Sequence, residues 1–122
     1  MSILTELNTL LSPVLPVETG IFSGVPPDEY LVLTPMTDEF ALFGDNNPLF
    51  DISEVRISLF SKGNYIQRKR QITALLLGAE FTITDRRYIG HEDDTGYHHY
   101  AIDVATSVTL EPILPDGNTH TI

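Results

Sequence analysis

The stretch ISEVRISLFSKGNYIQRKRQITALLLG, residues 52–78, decides the fold. Its first nine residues alternate. Val55, Ile57 and Leu59 fall on one side and Glu54, Arg56 and Ser58 on the other, the period-2 pattern of a half-buried strand. Ser61-Lys62-Gly63-Asn64 then reads as a turn, and Asn64 is placed to cap a helix. From Tyr65 the period changes. Tyr65, Ile72 and Leu76, with Ile66, Thr73, Leu75 and Leu77, predict a helix over 65–77 with a broad apolar face. Gln67, Arg68, Arg70 and Gln71 point to water, and Gly78 stands where a C-terminal cap belongs. A strand running through a short turn into a helix is the nucleus of an α/β arrangement, and the flanking segments say which kind.

Upstream, SILTELNTLL (2–11) predicts a short helix capped by Ser2, with Ile3, Leu7, Leu10 and Leu11 on one side, ended by Pro13 and Pro16. Val17 to Phe22 predicts a short strand. Pro26-Pro27-Asp28 is a turn, and EYLVLTPM (29–36) is a strand with apolar residues on both faces. Downstream, Phe81–Ile89 and Tyr97–Val108 predict a hairpin. On its second strand His98, Tyr100, Ile102 and Val104 share one face, and Tyr97, His99, Ala101 and Asp103 share the other. The expected fold is α+β: a small, mostly antiparallel β-sheet with two helices packed on one face. The chain predicts a single domain over 1–122, with a folded core over 1–106 and an extended C-terminal tail over 107–122. That tail holds two prolines and an Asp-Gly turn and lacks periodicity.

TDEFALFGDNNPLF (37–50) predicts a loop that is polar at Asp38, Glu39 and Asp45 and apolar at Phe40, Leu42, Phe43, Leu49 and Phe50. Its aromatic residues either tuck onto the domain's own core or wait for a partner, since a long apolar loop commonly has a role.

Composition narrows the function classes. Hydrophobic residues make up 42% of 122 residues, sufficient for a core without metal or disulfides. The chain has no cysteine, which excludes thiol chemistry and cysteine-ligated zinc. The formal charge of −10 opposes phosphate binding over most of the surface, and Arg68-Lys69-Arg70 reads as a solvated helix face. MSILTELNTLLSPVLP lacks a basic n-region and a small-residue cleavage site, which argues against a signal peptide, and no apolar run reaches membrane-spanning length.

Asp94-Thr95-Gly96 spells the active-site tripeptide of aspartic proteases. A catalytic dyad needs two facing aspartates held by buried apolar chain. Here the tripeptide follows His91-Glu92-Asp93, and a row of carboxylates belongs in water. The reading is a hairpin turn, with Gly96 free to take positive φ. His98 and His99 are adjacent on a strand and point to opposite faces, so they cannot share an ion. His91 and His99 converge only if the hairpin register brings them together, with Asp93 or Glu92 as a third ligand, and no spacing in the sequence fixes that. P-loop, Gly-x-Gly-x-x-Gly and Gly-x-Ser-x-Gly patterns are all missing from the sequence. These residues point to an interaction protein without catalytic residues, cofactor or metal.

Four stretches in order carry a resemblance: GVPPDEYLVLTP (24–35), ALFGDNNPLF (41–50), VRISLFSKGNYIQRKRQITALL (55–76) and HEDDTGYHHYAIDV (91–104). Together they resemble the tail terminator, or tail-to-head joining, proteins of long-tailed bacteriophages with flexible tails. The loop is often more acidic in such proteins, where this chain has Asn46-Asn47, and His99 stands where they often carry a basic residue. The resemblance implies a virion structural protein at the head-proximal end of the tail, assembled in the host cytoplasm. It implies a homo-hexameric ring that stops tube polymerisation and contacts the tail tube protein and a head-completion or connector protein. Genomic DNA would only pass through its channel, and no membrane is involved. The candidate assembly interface comprises Asp38, Glu39, Phe40, Phe43, Asp45, Leu49, Phe50, Glu92, Asp93, Asp94 and His99. The alternatives are another head-tail connector, a small metal-dependent hydrolase built on the His91–His99 region, and an adaptor domain unrelated to phage.

Overall fold

The computed structural model describes residues 3–19, 24–42 and 49–110, of which 37–42, 49–52 and 107–110 are described by their backbone alone. The elements are α1 (Ile3–Leu11), β1 (Val17–Thr19), β2 (Glu29–Leu42), β3 (Leu49–Ser61), α2 (Tyr65–Gly78), β4 (Thr82–His91) and β5 (His98–Leu110). They form one sheet in the order β1-β2-β3-β5-β4, parallel between β1 and β2 and antiparallel elsewhere. The fold is α+β with a mostly antiparallel sheet. After β3 the chain leaves through α2, returns as the edge strand β4, and the hairpin places β5 in the gap between β3 and β4, a split βαβ unit.

The alternation read from 55–60 sets the two faces. Leu31 and Leu33, Val55, Ile57 and Leu59, and Tyr100, Ile102 and Val104 point to one face. There they bury against Leu7 and Leu11 of α1, Leu15, and Ile72 and Leu76 of α2. Both helices therefore cover the same face. The opposite face carries a smaller cluster of Tyr30, Val32 and Tyr97 packed with Phe60. Among the described residues no helix is long and apolar enough to cross a membrane.

Asn64 caps α2, its Oδ1 accepting from the Gln67 amide at 3.1 Å. The other end differs from expectation. Gly78 is the last helical residue, and the left-handed residue is Glu80, at φ +67°. The Phe81 amide donates to the Leu76 carbonyl at 3.0 Å and the Glu80 amide to the Leu77 carbonyl at 3.1 Å. That is a Schellman motif with glutamate at the position glycine ordinarily takes. Glu80→Gly is therefore expected to stabilise the fold by about 1 kcal/mol by relieving the left-handed strain, read as a higher denaturation midpoint. The apolar face of α2 is also narrower than expected, because Ile66 is 42% exposed and Leu77 59% exposed.

The largest correction concerns 37–50. Thr37–Leu42 continue β2 and Leu49–Ile52 begin β3, paired from Thr37↔Glu54 to Leu42↔Leu49 after a register shift between Pro35 and Thr37. β5 pairs with the same part of β3 up to Leu49↔Leu110, so it runs four residues into the stretch expected as a tail. Among the described residues β4 begins only opposite Ala105, and β1 pairs with β2 only at Leu31–Leu33. Among the described residues the sheet therefore narrows to a three-stranded arm of β2, β3 and β5, about 17 Å long at 3.3 Å per residue. Pro35 lies on the outer strand beyond β1, where a missing amide donor is tolerated. The Ser2 cap, the end of the strand expected to reach Phe22, and 111–122 lie outside the described residues.

Candidate functional site

The nine candidate interface residues that are described do not form one patch. Asp38, Glu39 and Phe40 lie on β2 and Leu49 and Phe50 on β3, all in the arm. Phe43 and Asp45 fall outside the described residues. Glu92, Asp93, Asp94 and His99 lie at the other end, where Ser61 pairs with His98. Asp38 pairs with Ser53 and Leu49 is the far end of β3, so about 26–40 Å of strand separates the two groups at 3.3 Å per residue.

The hairpin end can be built residue by residue. Gly96 adopts φ +84°. Its amide donates to the Glu92 carbonyl at 2.7 Å, and the Glu92 amide donates to the Tyr97 carbonyl at 2.9 Å. Thr95 Oγ1 donates to Glu92 Oε1 at 2.8 Å. Asp93, Asp94 and Thr95 are exposed. The tripeptide is thus a solvated turn. Asp94→Asn is expected to change stability by no more than about 0.5 kcal/mol, checked by thermal melting.

Behind the turn, on the face away from the helices, four rings pack together. Tyr30 stacks on Phe60 at 4.9 Å between centroids, Tyr97 meets Tyr30 edge-on at 5.5 Å, and His99 stacks on Phe60 at 4.3 Å. The Tyr97 hydroxyl donates to the Pro27 carbonyl at 2.6 Å, tying the Pro-Pro turn to the hairpin. Lys62 Nζ lies 4.8 Å from the centroid of the Tyr97 ring. Beside the rings, Arg56 grips Asp103 with two hydrogen bonds, Nε to Oδ1 at 2.8 Å and Nη2 to Oδ2 at 3.0 Å. On the helix side of β2, Ser61 Oγ and Arg68 Nε donate to Glu29 at 2.8 and 3.0 Å. Burial pushes the Glu29 carboxyl up, but these two hydrogen bonds and the Arg68 charge outweigh it, so its pKa lies below the ordinary value.

His99 carries a buried Nε2 without a hydrogen-bond partner among the described residues. Burial lowers its pKa below 6.5; the Glu92 carboxylate opposes that shift and the Arg56 guanidinium adds to it. The folded chain therefore resists protonation that the unfolded chain accepts. Stability from this residue is complete above about pH 6.5 and is lost as pH falls through the lowered folded value. His99→Phe, which keeps a ring on Phe60, should flatten that acid-side slope in denaturation measured across pH.

Around the edge of the sheet Tyr65, Tyr88, His98 and His91 form a second aromatic group. Tyr65 lies 5.2 Å from Tyr88 and 4.9 Å from His98, and His98 lies 4.7 Å from His91, all between ring centroids. The register pairs His91 with His98 and Gly90 with His99. The two histidines brought together are thus His91 and His98, not His91 and His99. Among the described residues no three His, Asp or Glu side chains meet as a metal-ligand set.

Sequence reasoning missed Tyr30, Phe60, Tyr97, Arg56 and Asp103 as one surface. The signal was the alternation itself, which put aromatic and charged residues on the face opposite Ile57 and Ile102.

No family model matches the chain, and no curated protein matches it. Chains of solved structures do match. One belongs to the virion of a native gene transfer agent particle, at 12% identity and a TM-score of 0.49, covering 84% of this chain and 84% of that one.

Proposed function

We propose that this chain is a virion structural protein of the tail terminator, or tail-to-head joining, class. It forms a ring at the head-proximal end of the tail tube, stops tube polymerisation and connects tail to head, acting by binding and not by catalysis. The observation that carries the reading is the division of the candidate interface between the two ends of one sheet. A closed ring of identical subunits needs two different, complementary patches per chain, each meeting its counterpart on the next subunit. The arm supplies one, in the segment where the sequence resembles the family's apolar and acidic loop. The acidic turn with its aromatic backing supplies the other. A formal charge of −10 suits a wall past which DNA slides without being held.

Cross-mixing tests this reading. One variant carries Glu92→Lys, Asp93→Lys and Asp94→Lys, and the other carries Phe40→Asp and Phe50→Asp. Alone, neither should form rings in the presence of the tail tube protein. Mixed, the two should pair through their intact patches into heterodimers and go no further. Rings formed by either variant alone would contradict the reading.

A further inference from the structure

We propose that His91 and His98 form a two-imidazole site for a divalent transition-metal ion of the zinc, copper or nickel class. The two residues are directly paired across β4 and β5. Their ring centroids lie 4.7 Å apart with planes inclined at 51°, so the rings are neither stacked nor separated. Two imidazoles on one ion, each bound at about 2.0–2.1 Å, place their centroids about 4.5 Å apart at a right angle and about 5.2 Å apart at the tetrahedral angle. The observed separation falls between these values.

The hydrogen bonds leave the required atoms free. His91 Nδ1 lies 3.0 Å from Asp93 Oδ1, and His98 Nδ1 lies 2.9 Å from the Tyr88 hydroxyl. Among the described residues neither Nε2 has a hydrogen-bond partner, and the His91 side chain is exposed. A carboxylate only accepts, so Asp93 holds the proton on His91 Nδ1 and leaves a lone pair on Nε2. A carboxylate behind a ligating histidine is the usual outer partner of a metal site. The Tyr88 hydroxyl can accept from His98 Nδ1 in the same way, which frees the second Nε2. Imidazole nitrogens select this class of ion over magnesium or calcium. The exposed Glu92, Asp93 and Asp94 favour a cation locally. No third His, Asp or Glu of the described residues joins the pair, so the remaining positions fall to water or to a ligand from another molecule.

Calorimetric titration of the untagged full-length protein with nickel chloride and zinc chloride tests the site. The expected result is saturable binding of one ion per chain. His91→Ala and His98→Ala should each weaken it at least tenfold, Asp93→Asn should weaken it less, and His120→Ala should leave it unchanged. His98 packs on Tyr65, so circular dichroism must first show that His98→Ala is folded. His91 is exposed, and its variant decides the matter alone. Absence of saturable binding, or binding unchanged in His91→Ala, would overturn the proposal.

Discussion

Ile57→Ala is expected to destabilise the protein by about 2–5 kcal/mol. Ile57 is fully buried and sits on the central strand β3, flanked in register by Leu33 on β2 and Ile102 on β5. Truncation removes methylene burial and leaves a hole that neighbours on three strands cannot all move to fill. In a domain of this size the loss lowers the melting temperature by about 10 °C or more. Denaturant unfolding measures it as a fall in midpoint at unchanged slope. Leu77→Ala is the control: Leu77 is 59% exposed on α2, and its truncation should stay within about 0.5 kcal/mol. The pair separates the buried face, on which the account depends, from the apolar residues that merely lie on the helix.

Breaking the Arg56–Asp103 pair gives the second large effect, and the two halves should differ. The Asp103 side chain is 10% exposed and that of Arg56 28% exposed. Hydrogen bonding to Asp103 raises the Arg56 pKa further above its ordinary value. Arg56→Met strands a carboxylate that water hardly reaches, at about 3 kcal/mol. Asp103→Leu strands a guanidinium that keeps more of its contact with water, at about 1.5–2 kcal/mol. The double replacement Arg56→Met with Asp103→Leu leaves no unpaired charge and should recover most of the loss. A double-mutant cycle by denaturant unfolding checks this. Equal losses for the two single variants, or a double variant that loses their sum, would contradict the assignment.

The parts of the fold that could be read from sequence are those whose signal is local. Val55, Ile57 and Leu59 alternate because one side of β3 faces the helices. Asn64 announces α2 because a side-chain oxygen must satisfy an early amide. The arm was not legible because Asp38 and Glu39 interrupt the apolar alternation, and the strand there is sustained by pairing with Asp51–Glu54 of β3, an override of local preference by tertiary context. Glu80 hid the end of α2, since its left-handed backbone carries none of the usual sequence signal and Gly78 offered a false one. The partner of His91 was hidden by the register shift between Tyr88 and Gly90. One extra residue in a strand moves every later pair by a position. The candidate interface was legible residue by residue, but its division was not, because that depends on which end of the sheet each segment reaches.

Electron microscopy of the particles made when this gene is deleted is the deciding test of the proposed terminator role. DNA-filled heads beside unattached tails of irregular or excess length are expected, restored to joined virions of uniform tail length when the gene is supplied in trans. Normal, joined virions without the gene would contradict that role.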